Sequence, residues 1–364
     1  MTLPLISIII PAYNSANTIV ETLESIKVQT FTDYEVIVVD DCSTDDTVKV
    51  VESLLGVQGF SGHPVDAVLS ESSSVSTPPA TQQLNNSTTG DWRLFRQTKN
   101  DGPAVARNRG IAEANGKWIA FVDADDIWLP NKLELQLCFA AQHPEVALWC
   151  GETIGFDDGD TLPNSQVAEL LGRHNASLSR DNSTTQQLNN LTTHSNFSTT
   201  TTLRPITLEE LAVHNPISTS TVMVCREALI EVGRFDPQFQ GPEDYDLWLR
   251  VVARYPATKI GANISLYRQR VGSLSMDDRK FLPQVLRVLN KAYGRSGVLA
   301  GYGVSRRIAE ANQYRSASWM AFQRGARVVA LKYLAHACLL YPLVGGRSQI
   351  LLWWRYLMGR RDFS

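Results

Sequence analysis

The chain has no long apolar run: none of its stretches reaches 18 consecutive apolar residues, and a membrane-spanning helix needs about 20. Paired cysteines are missing too. Cys42, Cys138, Cys150, Cys225 and Cys338 lie far apart with no Cys-x-x-Cys among them, which argues against a disulfide framework and for a reducing compartment. Four of them fall in or beside apolar segments and read as core residues, whereas Cys42 sits in a loop. Excess charge of one sign is also lacking. The formal net charge is −3 over 364 residues, which predicts neither a nucleic-acid nor an acidic partner. No Gly-x-Gly-x-x-Gly follows the first apolar run and no Walker loop is present, so dinucleotide and P-loop binding are disfavoured. The N-terminus does not read as a secretory leader, because the short apolar run 3–10 passes directly into Pro11-Ala-Tyr-Asn. The expected location is the cytosol.

What the chain does have is strand–helix alternation. Residues 5–10 form a β-branched run that Pro11 is expected to break, and Ser15 is a candidate cap for a helix to about Val28. A second buried strand at 34–39 ends on Asp40-Asp41, and Thr44 is a candidate cap for the helix after it. Two such units in a row imply right-handed crossovers and a parallel sheet. Further on, the pattern predicts strands at 92–96, 118–122 and 146–150, and an alternating strand at 218–225. Helices are expected at 104–114, 130–143, 207–213 and 227–232, from Gly241-Pro242 with the proline near the first turn, and through most of the chain after Phe281. The expected architecture is α/β, a mostly parallel sheet flanked by helices, over residues 1–275, with a helical C-terminal extension at 276–364.

Two segments, about 57–90 and 159–202, interrupt this order with Ser, Thr, Asn, Gln and Pro. They share a hexapeptide, Thr81-Gln-Gln-Leu-Asn-Asn and Thr185-Gln-Gln-Leu-Asn-Asn. Both are too polar to bury a core and read as inserted low-complexity surface loops. Their Asn-x-Ser/Thr matches at Asn85, Asn86, Asn175, Asn182, Asn190 and Asn196 follow from composition.

Polar clusters recur at the expected strand ends: Pro11–Asn14, Asp40-Asp41, and Asp123, Asp125 and Asp126 after the run 118–122. Three clusters on one sheet edge would outline a nucleotide-sized cleft, since open α/β sheets bind ligands at the carboxyl ends of their strands. The acidic triplet by itself supports two readings equally. It is either an oxygen-ligand site for Mg²⁺ or Mn²⁺, or an acidic turn ahead of the helix from Pro130.

In order along the chain, Ser7-Ile-Ile-Ile-Pro-Ala-Tyr-Asn, Val38-Val-Asp-Asp-Cys-Ser-Thr-Asp, Asn100-Asp-Gly-Pro-Ala-Val-Ala-Arg-Asn-Arg-Gly, Phe121-Val-Asp-Ala-Asp-Asp and Gly241-Pro-Glu-Asp-Tyr-Asp-Leu-Trp resemble glycosyltransferase family 2. The resemblance covers roughly residues 4–275 apart from the insertions. It implies the GT-A, Rossmann-like fold of nucleotide-diphospho-sugar transferases and an inverting, metal-dependent enzyme. Pro11, Ala12 and Tyr13 would line the base and ribose pocket, with Asp40 on the base. Arg107 would border the nucleotide, or else belong to an ordinary salt-bridged helix face. Asp123 would meet the ribose and Asp125 the metal, Mn²⁺ or Mg²⁺, while Asp126 would support the turn. Glu243 and Asp244 match the family's acidic pair, whose Asp is the general base; with an ordinary pKa near 4 it would be ionised at pH 7. The expected donor is a UDP-sugar and the acceptor a glycan or lipid-linked saccharide, in cell-surface polysaccharide or glycoconjugate synthesis. The Gln-x-x-Arg-Trp motif of processive synthases is absent, which favours single additions. Two other readings are a catalytically idle sugar-binding module whose tail recruits partners, and a nucleotidyltransferase. The intact acidic pair counts against the first, and the lack of a Gly-rich basic loop after the first strand against the second. Residues 309–342 read as a helix pair. For the tail, ordinary helical packing is the expected reading; the alternative is that Trp353-Trp-Arg-Tyr with Arg360-Arg361 makes peripheral contact with the inner face of a membrane.

Overall fold

The computed structural model describes residues 3–55, 91–157, 201–270, 276–301 and 306–341. The repeated hexapeptides, the Asn-x-Ser/Thr matches and the Trp-rich tail therefore lie outside the described residues.

Four parallel strands make the N-terminal half of the sheet: β1 (Ile6–Ala12), β2 (Tyr34–Asp40), β3 (Trp92–Arg96) and β4 (Trp118–Phe121). The helices α1 (Ile19–Lys27), α2 (Thr47–Leu55) and α3 (Pro103–Glu113) connect them. Side-chain alternation sorts the apolar residues onto two faces, as the period of a strand requires. Ile6, Ile8, Ile10, Val36 and Val38 pack with α1 and α2, while Ile9, Ile37 and Val39 pack with α3. Near-continuous apolar runs are what a sheet covered on both sides needs.

Beyond β4 the pairing changes. Elements β5 (Ile127–Trp128), α4 (Lys132–Gln142), β6 (Leu148–Asp157), β7 (Leu203–Ile206), α5 (Leu208–Val213), β8 (Met223–Cys225), α6 (Arg226–Val232), α7 (Glu243–Val252) and β9 (Ala257–Gln269) follow. The sheet runs β3-β2-β1-β4-β8-β6-β9-β5, with β7 also on β9. Pairs β4–β8, β6–β8, β5–β9 and β7–β9 are antiparallel and β6–β9 is parallel. The sheet is thus mixed, with its parallel strands concentrated where β1, β2 and β4 end side by side.

Several local expectations shift. Strand β1 continues through Pro11, which pairs in register with Val39. The Ile9 carbonyl accepts the Val122 N–H on the β4 side, so Pro11, two residues on, faces past the end of β4 and its missing N–H costs no ladder bond. Ser15 and Thr44 cap nothing through their side chains: Thr18 precedes α1, and Asp45 accepts the Thr47 N–H at the start of α2. The segment 218–225 is not one strand. A 3₁₀ turn, Thr219–Thr221, comes first, closed by the Thr221 N–H on the Ser218 carbonyl and the Val222 N–H on that of Thr219. All five cysteines are free thiols; Cys138 and Cys150 are buried, the other three partly so.

The C-terminal helices are α8 (Asp278–Ala292), α9 (Arg306–Gln323) and α10 (Arg327–Leu340). Leu282, Val285, Val288 and Leu289 of α8 share one core with Tyr245, Leu247 and Leu249 of α7. Helices α9 and α10 form a hairpin, with Tyr314 against Tyr333 and His336. Among the described residues no helix is long and apolar enough to cross a membrane.

Gly116 lies directly against the backbone of β1. A Cβ there would lie 2.6 Å from the Ser7 backbone nitrogen and 2.7 Å from the Ile6 carbonyl carbon. Backbone cannot yield as a side chain does, so Gly116→Ala should destabilise the protein by about 2 kcal/mol. Urea denaturation measures this; an unchanged midpoint would mean that β1 and β4 tolerate separation.

Candidate functional site

Because β1, β2 and β4 are parallel neighbours, Pro11–Tyr13, Asp40 and Asp123 emerge on the same edge. The first two loops clasp each other. Asn14 and Cys42 adopt left-handed backbone, with φ of 50° and 62°. The Asn14 carboxamide oxygen accepts the Thr44 N–H at 2.8 Å, and the Ser43 hydroxyl accepts the Asn14 N–H at 3.0 Å. Ala12 is buried, whereas Tyr13 is exposed at the mouth. Asp40 is fully buried; its carboxylate accepts the Ser43 N–H and pairs with Arg96 Nε at 3.3 Å. Neighbouring Asp41 takes the Asp101 and Gly102 N–H groups at 3.0 and 2.7 Å and so anchors the turn before α3. Burial raises its carboxyl above the ordinary range.

Arg107 is the centre of the arrangement. It projects from α3, is buried, and divides its two terminal nitrogens between carboxylates far apart in sequence. Nη2 meets Asp123 Oδ1 at 2.7 Å and Nη1 meets Glu243 Oε1 at 2.7 Å. Its guanidinium lies 5.4 Å from the Phe235 ring centroid, and Phe235, Phe121 and Trp248 pack together beneath. The other Glu243 oxygen accepts the Gly241 N–H at 2.7 Å. Arg107 makes the salt bridges of one expected reading, and its partners Asp123 and Glu243 are both carboxylates expected at the site.

The acidic loop divides its work. Asp123 and Asp125 are each about one-third exposed, at 35% and 32% of the side chain, while Asp126 is buried. Asp126 accepts from Ser220 Oγ at 2.5 Å and from the Arg268 N–H at 3.1 Å. Burial and the charges of Asp123 and Asp125 hold its carboxyl well above the usual range. It thus braces the turn, and Asp125 faces the cleft with Arg270 Nε 3.6 Å away. Burial and the charge of Asp123 push the Asp125 carboxyl up as well.

Thr219 and Ser220 were invisible as site residues when 218–225 read as a strand. The Ser220 hydroxyl accepts the Asp123 N–H at 3.1 Å, and that of Thr219 donates to Asp244 Oδ2 at 3.0 Å. Trp128 Nε1 donates to the Ser220 carbonyl at 2.6 Å and fixes the turn from below. One three-residue turn therefore holds both the acidic loop and the acidic pair. The only signal in the sequence is the hydroxyl run Ser218-Thr-Ser-Thr, which polar β-propensity disguises.

Asp244 itself is half-buried in the first turn of α7. Desolvation, reinforced by the Glu243 charge, pushes its carboxyl up to about 7, although Arg107 and the Thr219 hydrogen bond oppose this. The ordinary acidity expected from sequence does not hold, because the same fold that supplies Glu243 withdraws water from Asp244.

Among the described residues, no three His, Cys, Asp or Glu side chains are gathered so as to hold a metal ion. Mg²⁺ and Mn²⁺ do not require such a cage: one or two carboxylates suffice when waters and phosphate oxygens complete the shell. Asp125, partly open to solvent and two residues from Asp123, suits that role.

Arg107→Met should destabilise the fold by about 3 kcal/mol, since it leaves the buried Glu243 carboxylate without its cation. Chemical denaturation at pH 7 measures the loss; a neutral result would show that Asp123 and Glu243 find other partners.

Comparison with known proteins fits this geometry. The family model described as "Glycosyl transferase family 2" matches residues 7–65 and 68–208, and "Glycosyltransferase like family 2" matches 174–298. An uncharacterized glycosyltransferase of Rickettsia felis is 34% identical over 139 residues, 38% of this chain and 17% of the relative, so the chain spans about a sixth of that protein. The UDP-Glc:alpha-D-GlcNAc-diphosphoundecaprenol beta-1,3-glucosyltransferase WfgD of Escherichia coli is 26% identical over 278 residues, 76% of this chain and 81% of WfgD. Two solved structures share the fold at 16% identity. S. aureus TarS 1-349 with UDP-GlcNAc has a TM-score of 0.52 over 98% of this chain and 93% of its own. The Pyrobaculum calidifontis mannosyltransferase PcManGT, with GDP-Man and Mn2+, has 0.51 over 99% and 89%. With the family model covering more than half of the sequence, the chain belongs to glycosyltransferase family 2.

Proposed function

We propose that the chain is an inverting, metal-dependent, non-processive transferase. It moves a sugar from a nucleoside diphosphate, UDP-linked by preference, to a hydroxyl of a glycan or lipid-linked saccharide. The observation that carries this reading is Asp244, a carboxyl near pKa 7 beside the Arg107 bridge to the acidic loop. A binding module has no use for a proton acceptor poised at neutral pH.

The edge of β1, β2 and β4 receives the nucleotide, with Pro11, Ala12 and Tyr13 along the base and ribose and Asp40 stiffening the loop against the base. Asp123, oriented by Arg107, meets the ribose side. Asp125 would hold Mn²⁺ or Mg²⁺ on the diphosphate, where a divalent cation neutralises the charge that builds on the leaving group. Asp244 Oδ2, steadied by Thr219, takes the proton of the acceptor hydroxyl as that oxygen attacks the anomeric carbon. Approach opposite the diphosphate inverts the centre, and the nucleoside diphosphate leaves with the electron pair of the broken C–O bond. Glu243, spent on Arg107 and the Gly241 amide, orients rather than accepts. WfgD is named for UDP-glucose and a diphosphoundecaprenol acceptor, TarS was solved with UDP-GlcNAc and PcManGT with GDP-Man and Mn2+. Those names support a nucleotide-sugar donor, and that of WfgD a lipid-linked acceptor.

Three outcomes are expected. Asp244→Asn should lower transfer by about 10³-fold while calorimetry shows UDP still bound; full turnover in this variant would sink the assignment of the base. Since Asp244 must be deprotonated to act, kcat/KM should fall below about pH 7, and Thr219→Val, which removes a bond favouring the carboxylate, should move that limb upward. Asp125→Ala should abolish the Mn²⁺ dependence of UDP binding.

A further inference from the structure

A net charge of −3 conceals a segregation of charge. Residues 1–275 carry 19 Lys and Arg against 33 Asp and Glu, whereas 276–341 carry 11 against 3. Ten of those 11 cations are exposed. They are not spread evenly. Buried Asp278, at the start of α8, takes Arg324 Nε and Nη2 at 3.1 Å and the Tyr333 hydroxyl of α10. That junction gathers Arg279 and Lys280 of α8, Arg324 after α9, and Arg327 and Lys332 of α10 at one end of the helical extension. Arg279 is neutralised by Asp277 and Arg324 by Asp278. Lys280, Arg327 and Lys332 have no ion pair among the described residues.

Exposed apolar side chains share α10 with Arg327 and Lys332. Val328, Lys332 and Leu339 fall at i, i+4 and i+11, one exposed stripe of α10, and Val328 and Leu339 are 68% and 84% exposed. Cations interleaved with open aliphatic groups match an anionic lipid surface, where phosphates meet the ammonium and guanidinium groups and the aliphatic side chains enter the headgroup region. A nucleic acid or an acidic polysaccharide would use the cations but leave Val328 and Leu339 in water.

We propose that the exposed face of α10 and the adjoining start of α8, carrying Lys280, Arg327, Val328, Lys332 and Leu339, dock the protein on an anionic phospholipid membrane. The acidic body, carrying the catalytic edge, is repelled by the same surface, so binding also orients the molecule. The proposal extends the reading of a lipid-linked acceptor, but vesicle binding is blind to catalysis, so either can fail without the other.

The test is co-sedimentation of the full chain with vesicles of phosphatidylcholine alone or mixed with phosphatidylglycerol. Binding should require phosphatidylglycerol and weaken as salt shortens the Debye length from about 10 Å at 0.1 M to about 3 Å at 1 M. Lys280→Glu/Arg327→Glu/Lys332→Glu should bind about a hundredfold more weakly, at roughly fivefold or more per charge. Val328→Asp/Leu339→Asp should weaken it with the cations intact. Equal binding to both vesicles, or an unaffected triple variant, would overturn the proposal. So would loss of all binding on removal of residues 350–364 alone, or equally tight binding to an RNA oligonucleotide. Circular dichroism of both variants distinguishes weak docking from unfolding.

Discussion

One buried cation holds the two halves of the site together. Arg107 lies between Asp123, which follows β4, and Glu243, which opens α7. Among the described residues, neither carboxylate has another side-chain cation as close. A guanidinium suits the task because its two terminal nitrogens present separate donors in a fixed plane, which a lysine could not reproduce. Remove it and Glu243 becomes an uncompensated buried charge. Keep it and the acidic loop and the acidic pair are set at a fixed separation across the mouth of the cleft.

That bridge also accounts for the division of roles among nearby carboxyls. Asp123 and Glu243 share a cation, while Asp125 and Asp244 make no ion pair with Arg107 and are pushed up mainly by burial and like charge. One arginine thus divides the carboxylates into two that it bridges directly and two that burial and like charge push up. The 3₁₀ turn Thr219–Thr221 repeats the connection with hydroxyls, touching the Asp123 amide and the Asp244 carboxyl from the opposite side.

Much of the N-terminal half was legible in the sequence, because its strands are uninterrupted β-branched runs and its helices keep one apolar face. The carboxyl-edge clusters and the brace role of Asp126 follow from the same pattern. The rest was hidden for identifiable reasons. Strand β9 contains Lys259, Gly261 and Asn263 and a register shift against β6, so no clean alternation marks it; pairing on both edges overrides its weak propensity. Strand β5 is two residues long. Thr219 and Ser220 look like polar strand positions until tertiary contacts occupy their hydroxyls. The raised pKa of Asp244 depends on a neighbour's charge and on lost water, neither of which a linear motif displays.

Strand β9 has a consequence for how the chain comes to be folded. It is the shared partner of β5, β6 and β7, all synthesised before it, and its last turns supply Arg268 to the acidic loop. A nascent chain that has emerged only as far as α7 can pair β1 to β4 yet still leaves three strand edges open. Such edges invite association between chains. The acidic loop thus acquires its Arg268 brace only after some 270 residues have been made, so N-terminal fragments should aggregate rather than form a smaller working enzyme.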